Sequence, residues 1–237
     1  MPLISVAVDY VAYLRNIKGG RIPDPSHAAV LAELGGADSI CAHLREDRMH
    51  IRDRDIYVLK EVVKTRFTVR LAPDRDLIDI ALEVRPWMVT LVPFAGDKPF
   101  ITGGLDFESY RRQYTDASQS LKEAGIKTSF LVEPQSEDIK NAARLKAEAV
   151  EINCYDYVNA KTTDERTSEI ERIDQMSRLA AKYGMMADCG GGLDYTSVSP
   201  LAELESINEM RVGHAVCARG LLAGFAKAVT DMAALIK

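Results

Sequence analysis

The feature that most constrains this chain is a regular alternation, in which a short apolar run of strand length precedes a stretch of helical period, eight times in 237 residues. The strand candidates are Leu3–Asp9, Ser39–Leu44, Phe67–Ala72, Met88–Pro93, Lys127–Glu133, Ala149–Asn153, Met185–Gly190 and Met210–Ala215. The helical stretches are Pro25–Leu34, Asp55–Lys64, Asp76–Val84, Phe107–Ala124, Glu137–Lys146, Asp164–Tyr183, Val198–Ser206 and Ala218–Ile236. An open doubly wound sheet usually carries fewer strands, whereas eight such units close into a parallel barrel of roughly 250 residues. The expectation is an α/β fold, a (β/α)₈ TIM barrel, built as a single domain over residues 1–237. No Pro/Gly/Ser linker or low-complexity tract divides it.

Charge narrows the partners. The formal net charge is −5, so there is no broad basic field to draw nucleic acid or an anionic membrane. Phosphate recognition would rest on a few Arg, Lys and backbone N–H groups, which suits a small phosphorylated metabolite. Cys41, Cys154, Cys189 and Cys217 form no CxxC pair, so reduced thiols are expected rather than a zinc ribbon or a disulfide framework. The segment MPLISVAVDYV has no basic leader, and no run approaches the ~20 apolar residues that span a bilayer. A cytoplasmic protein with no membrane partner is the expectation.

Strand side chains alternate between two faces, and in a barrel the apolar set should meet the surrounding helices. In Ser39–Arg45 that sends Ile40, Ala42 and Leu44 outward and leaves Ser39, Cys41, His43 and Arg45 facing in. The same test turns Thr68 and Arg70, Glu151 and Asn153, and Ser5, Ala7 and Asp9 inward. Charges inside a barrel must find each other, water or a ligand. Asp9, His43, Arg70 and Glu151 all sit late in their strands, at the end where such barrels build active sites. The competing reading is an ion-pair layer that merely closes the barrel.

The densest polar run is HLREDRMHIRDRD, His43 to Asp55, with two His, four Arg and four carboxylates. Its later part suits a solvated loop with Asp53 or Asp55 as a helix N-cap. His43 and Arg45 instead keep the inward phase; a neutral-pH proton acceptor beside a bidentate cation suits acid–base work on an anion. His27 reads as a surface or packing residue within a helix. CGGGLD (Cys189–Asp194) and GHAVCARG (Gly213–Gly220) follow the seventh and eighth strands, where barrels often bind phosphate through backbone N–H groups. Thr102–Asp106 offers backbone donors, a hinge or an Asp106 N-cap, and polar Cys154–Thr163 reads as a lid. No GxGxxG, Walker A, HExxH or EF-hand pattern occurs, so neither a metal nor a nucleotide cofactor is expected.

On these residues, above all His43 to Asp55, and on TGGLD, EAGI, AVEIN and VGHAVCARG, the chain resembles the pyridoxine 5′-phosphate synthase family along essentially its whole length. The resemblance implies a (β/α)₈ enzyme assembled as a ring-like homo-octamer of dimers, with no metal or organic cofactor. It implies a vitamin B6 reaction between two small phosphorylated carbonyl substrates, 1-deoxy-D-xylulose 5-phosphate and 3-amino-2-oxopropyl phosphate, that closes a pyridine ring with loss of phosphate and water. By position, His43 matches the family's general base and Glu151 its charge-stabilising carboxylate. Asp9, Arg45, His50, Gly192, Gly213 and His214 match positions that hold substrate or phosphate.

The departures are equally specific. Lys18 stands where the family usually has arginine, keeping the charge without the bidentate fork. Tyr10 stands for a histidine and Ala7 for an asparagine. Arg70 replaces a catalytic carboxylate, and Gly191 replaces an acid histidine. Asp188 or Cys189 could supply a proton near Gly191, and Arg70 could take an extra carboxylate or phosphate. Three readings stand: the family's own condensation, a paralogue that joins an amino-ketone phosphate to a different carbonyl compound, and a non-catalytic phosphate-binding barrel.

Overall fold

The computed structural model describes residues 1–96 and 100–237. Eight strands, β1 (Leu3–Ala7), β2 (Ser39–His43), β3 (Arg66–Leu71), β4 (Met88–Leu91), β5 (Lys127–Val132), β6 (Ala149–Asn153), β7 (Met186–Gly190) and β8 (Glu209–Val212), form a closed barrel in chain order. Every neighbouring pair is parallel, and β1 closes the ring against β8 with Ser5 opposite Arg211. The helices are α1 (Asp9–Ile17), α2 (Pro25–Leu34), α3 (Asp53–Val62), α4 (Arg75–Val84), α5 (Arg111–Glu123), α6 (Ser136–Arg144), α7 (Tyr155–Asn159), α8 (Thr163–Lys182), α9 (Val198–Ala202), α10 (His214–Ala223) and α11 (Phe225–Ile236).

The two faces of the sheet have different chemistry, as the period-two reading expects. Ile4, Val6, Ile40, Ala42, Val69, Leu91, Val150, Ile152, Met210 and Val212 are buried in one apolar layer beneath the helices. Burying each of the larger side chains contributes about 1.5–3 kcal/mol, so this layer is the main source of stability. The barrel interior is instead polar: Ser5, Ser39, Thr68, Thr90, Ser129, Glu151, Asp188, Glu209 and Arg211 are all buried there or at its rim. Outside the barrel, α2 ends against α11 at Gly35, where an added Cβ would meet the Ala226 carbonyl oxygen at 2.6 Å. Only glycine allows that approach.

Several expected boundaries move. Asp9 is not the end of a strand but the first residue of α1, a helix absent from the sequence reading. Its buried stripe, Val11, Ala12 and Arg15, contains a charge, which hides the apolar period. The helix expected over Ala218–Ile236 is two helices, broken at Gly224 (φ 89°), and the first already starts at His214. Neither Asp53 nor Asp55 caps α3; Arg52 is the N-cap, and Asp55 accepts the Arg52 backbone N–H at 2.9 Å. Asp106 holds a turn ahead of α5 by accepting the N–H groups of Glu108 and Ser109. Half of the Cys154–Thr163 segment is the helix α7, pinned by buried Tyr157, whose hydroxyl donates to the Ser197 carbonyl at 2.8 Å. Among the described residues, no helix is long and apolar enough to cross a membrane.

Candidate active site at the barrel mouth

A pocket opens at the carboxyl-terminal ends of the strands, and Asp9, Tyr10, His43, His50, Arg70, Glu151, Gly191, Gly192, Gly213 and His214 all line it. These residues come from β2, β3 and β6, the loop after β2, the turns after β7 and β8, and the first turns of α1 and α10, so closure of the ring is what brings them together. Lys18 and Arg45 do not line it. Lys18 is exposed beyond the end of α1. The strand alternation ends at His43, and the chain then turns, so Arg45 directs its buried guanidinium to Asp47 (2.6 and 2.9 Å) and to the Gly96 carbonyl (3.4 Å).

His43 is held from below and beside. Its backbone N–H donates to Asp9 Oδ1 at 2.6 Å, and its ring lies 5.5 Å from that of His50. Burial pushes its pKa well below the usual 6.5, and the nearby cation of Arg70 pushes in the same direction. The imidazole is therefore neutral at pH 7 and can accept a proton. His50 Nδ1 accepts the Ile51 N–H at 3.0 Å, which leaves the proton of the neutral ring on Nε2, and burial lowers this pKa too. The loop that carries His50 is fastened by Arg15, which donates to Asp55 at 2.7 and 2.8 Å and to the His50 carbonyl at 3.0 Å. Asn16 adds bonds to the carbonyls of Met49 and His50.

Across the pocket, Glu151 is 1 % exposed, and Arg211 Nη1 donates to its Oε2. Arg70 Nε stands 3.5 Å from the same oxygen. Arg211 also donates to Glu209 Oε1 at 3.3 Å, and Glu209 Oε2 accepts the Ser39 hydroxyl at 2.9 Å, so an ion-pair chain descends into the barrel. Burial, the largest single influence, disfavours the Arg211 cation, but the surrounding acidic groups together, Glu151 first among them, outweigh it and lift its pKa. Asp188 is raised well above its usual 3.8 by burial and then by Glu209, which favours its neutral form. Part of the interior is thus the ion-pair layer that competed with an active site in the sequence reading; the two share Glu151.

The glycine turns explain their own residues. Gly191 has φ 106°, and a Cβ there would meet Asn153 Oδ1 at 2.6 Å, an oxygen that already accepts the Tyr155 N–H. No side chain fits that place on this backbone. Gly192 has φ 85°. Gly213 is the N-cap of α10, and with His214 it lines the pocket, which brings a helix N-terminus, a place that suits an anion, to the mouth. A Cβ on Gly213 would approach Ala7 Cβ at 3.1 Å and the Tyr10 ring at 3.2 Å. Tyr10 packs edge-on to His214, and burial followed by Asp9 raises its pKa to about 12, so its phenol remains a proton donor. In Thr102–Asp106 the Gly104 N–H already donates to Glu133, and Asn153 Nδ2 donates to the Thr102 carbonyl at 2.9 Å.

Arg211 and Tyr13 line the pocket without having been singled out from sequence. Arg211 carried a usable signal, because Glu209 and Arg211 alternate with apolar Met210 and Val212, the same period that exposed His43. The expected strand, Met210–Ala215, holds Arg211 but leaves out Glu209, so only one charge of the alternating pair stood within it. Tyr13 carried none, since it lies on α1. Among the described residues, no cluster of three His, Cys, Asp or Glu could hold a metal ion.

A family model described as "Pyridoxal phosphate biosynthesis protein PdxJ" matches residues 4–237. Relatives named pyridoxine 5′-phosphate synthase include one from Pelobacter propionicus, 40 % identical over 237 residues, covering 100 % of this chain and 99 % of that protein. Another, from Syntrophobacter fumaroxidans, is 42 % identical over 236 residues with the same coverage. Among solved structures, thiamine phosphate pyrophosphorylase from Pyrococcus furiosus superposes with a TM-score of 0.65 at 16 % identity, covering 99 % of this chain and 95 % of that one. KGPDC from Streptococcus mutans gives 0.67 at 10 %, covering 100 % and 97 %. At such identities these two structures speak for the fold alone.

Proposed function

The chain belongs to the pyridoxal phosphate biosynthesis protein PdxJ family, and from that premise we propose that it carries out a ring-closing condensation of the pyridoxine 5′-phosphate synthase type. The substrates proposed are 1-deoxy-D-xylulose 5-phosphate and 3-amino-2-oxopropyl phosphate, joined in vitamin B6 biosynthesis. The observation that carries this reading is one pocket lined at once by a neutral, buried His43, a Glu151 carboxylate paired with Arg211, and the N-terminus of α10. In it, His43 removes protons and Glu151 stabilises positive charge as it develops. Gly192, Gly213 and His214 hold a phosphate, and Asp9, Tyr10 and His50 position the substrate. Arg45 and Lys18 lie outside the pocket, so any part they play is through the loops they belong to.

The chain works as one domain over residues 1–237, a reading supported by the pairing of its first and last strands. Exposed Ile17, Ile22, Leu34, Leu221 and Leu222 favour self-association, with the homo-octamer of the resemblance as the proposed state in the cytoplasm. Incubating the purified protein with both substrates, and following pyridoxine 5′-phosphate by mass spectrometry, tests the activity. Absence of product with active controls would exclude it.

A second reading is favoured by Arg70. A guanidinium cannot do the work of the carboxylate that the family resemblance expects there, and Gly191 offers no side-chain acid. In this reading the amino-ketone phosphate is kept and the partner carbonyl compound differs. Product formed only with a different partner in the same assay would select it.

A further inference from the structure

Arg70 and His43 are direct partners in the register between β2 and β3, so the guanidinium stands beside the imidazole and lines the same pocket. Its side chain is 17 % exposed. Among the described residues the guanidinium makes no hydrogen bond: Nε is buried without a partner, and its one ion pair, with Glu151 Oε2 at 3.5 Å, is too long and is directed at an oxygen that Arg211 already bonds. Asp9, the other pocket carboxylate, is bonded to the His43 backbone N–H.

A guanidinium carries five N–H donors in a planar fork, and mostly burying it with a single ion pair at 3.5 Å and no hydrogen bond is unfavourable. A fork with free N–H groups facing a pocket matches a carboxylate held through two parallel hydrogen bonds. Arg211 cannot serve in its place, because it is divided between Glu151 and Glu209. We propose that Arg70 forms an oxyanion subsite that holds a carboxylate of the partner carbonyl compound directly beside the His43 imidazole. This rests on the second reading above and gives it a substrate class: a carboxylated carbonyl compound. The subsite is distinct from the phosphate place at Gly213 and His214, which belongs to the turn after β8.

The four histidines, His27, His43, His50 and His214, give four imidazole probes that single replacements assign by NMR. Acetate is titrated into the protein at constant ionic strength, with acetamide as the uncharged analogue of the same shape. The expected result is a saturable movement of the His43 signal with acetate, together with a rise in its pKa as the Arg70 cation is neutralised. Acetamide and exposed His27 should show no such response. Arg70→Gln should weaken the acetate response at least tenfold, and Arg70→Lys should retain part of it.

No saturable response in the unaltered protein overturns the proposal, and so does a response that persists undiminished in Arg70→Gln. Should that variant fail to fold, the contrast between acetate and acetamide in the unaltered protein still decides. Inorganic phosphate is titrated separately and should move His214. Failure of that arm strikes the phosphate-binding part of the proposed function, whereas failure of the acetate arm alone strikes only the carboxylate subsite.

Discussion

Glu151 and Arg211, 60 residues apart in the chain, meet inside the barrel, where Arg211 Nη1 donates to Glu151 Oε2 and both side chains are almost wholly buried. Neither charge could stay there alone. Their pairing makes the floor of the pocket both a structural device and a place where a substrate meets fixed charge.

Removing one partner should therefore cost more than removing both. Arg211→Met is expected to destabilise the fold by about 3–5 kcal/mol, because it strands the Glu151 charge. Glu151→Gln combined with Arg211→Met should recover most of that. Urea unfolding of the two single variants and the double variant checks the ordering; additive losses would contradict it.

His43→Ala should lower turnover by roughly 10²–10⁴-fold while leaving phosphate-ligand affinity within about tenfold. Because the His43 pKa is held well below 6.5, the base stays unprotonated on lowering the pH through 6.5, and activity should fall only in more acidic solution. Folding is linked to the same shift. Below 6.5 the unfolded chain binds this proton more readily than the folded one, so stability should fall as pH drops from 6.5 toward the lower folded-state pKa. Arg70→Gln removes a cation that lowers the pKa and should move the acidic limb of the rate profile upward. Rates and urea midpoints between pH 5 and 8 report both effects.

Asp188 has the opposite sign. Its folded-state pKa is raised by burial and by Glu209, so the unfolded chain gives up this proton first, and the resulting penalty on folding grows as pH rises above 3.8 toward the folded-state value. Asp188→Asn keeps the shape without the charge and should stabilise the protein, with a larger gain at pH 8 than at pH 5. A gain independent of pH, in the same unfolding measurement, would contradict the assignment.

Installing the histidine that the family resemblance implies, by Gly191→His, should destabilise by about 1–3 kcal/mol, since φ is 106° and Asn153 Oδ1 occupies the space. Asn153→Gly in the same chain should relieve the clash, leaving the backbone strain. Thermal unfolding of the single and double variants distinguishes the two contributions.

Local pattern determined much of this protein. Seven of the eight strands are legible to within a residue or two from apolar runs and turn residues, the eighth running three residues too far, and period two places His43, Arg70 and Glu151 on the face that lines the pocket, because side-chain direction in a strand is a local property. The same rule failed where the strands stopped. Asp9 begins a helix, and Arg45 turns away to Asp47.

What only the tertiary structure decided are contacts between distant segments. Closing the ring brings Arg211 onto Glu151, places Arg15 against the carbonyl of His50, and fills with Asn153 the space that a side chain at position 191 would need. Period says which way a side chain points. Which partner it meets depends on strand register and helix packing, and these depend on the closed chain as a whole.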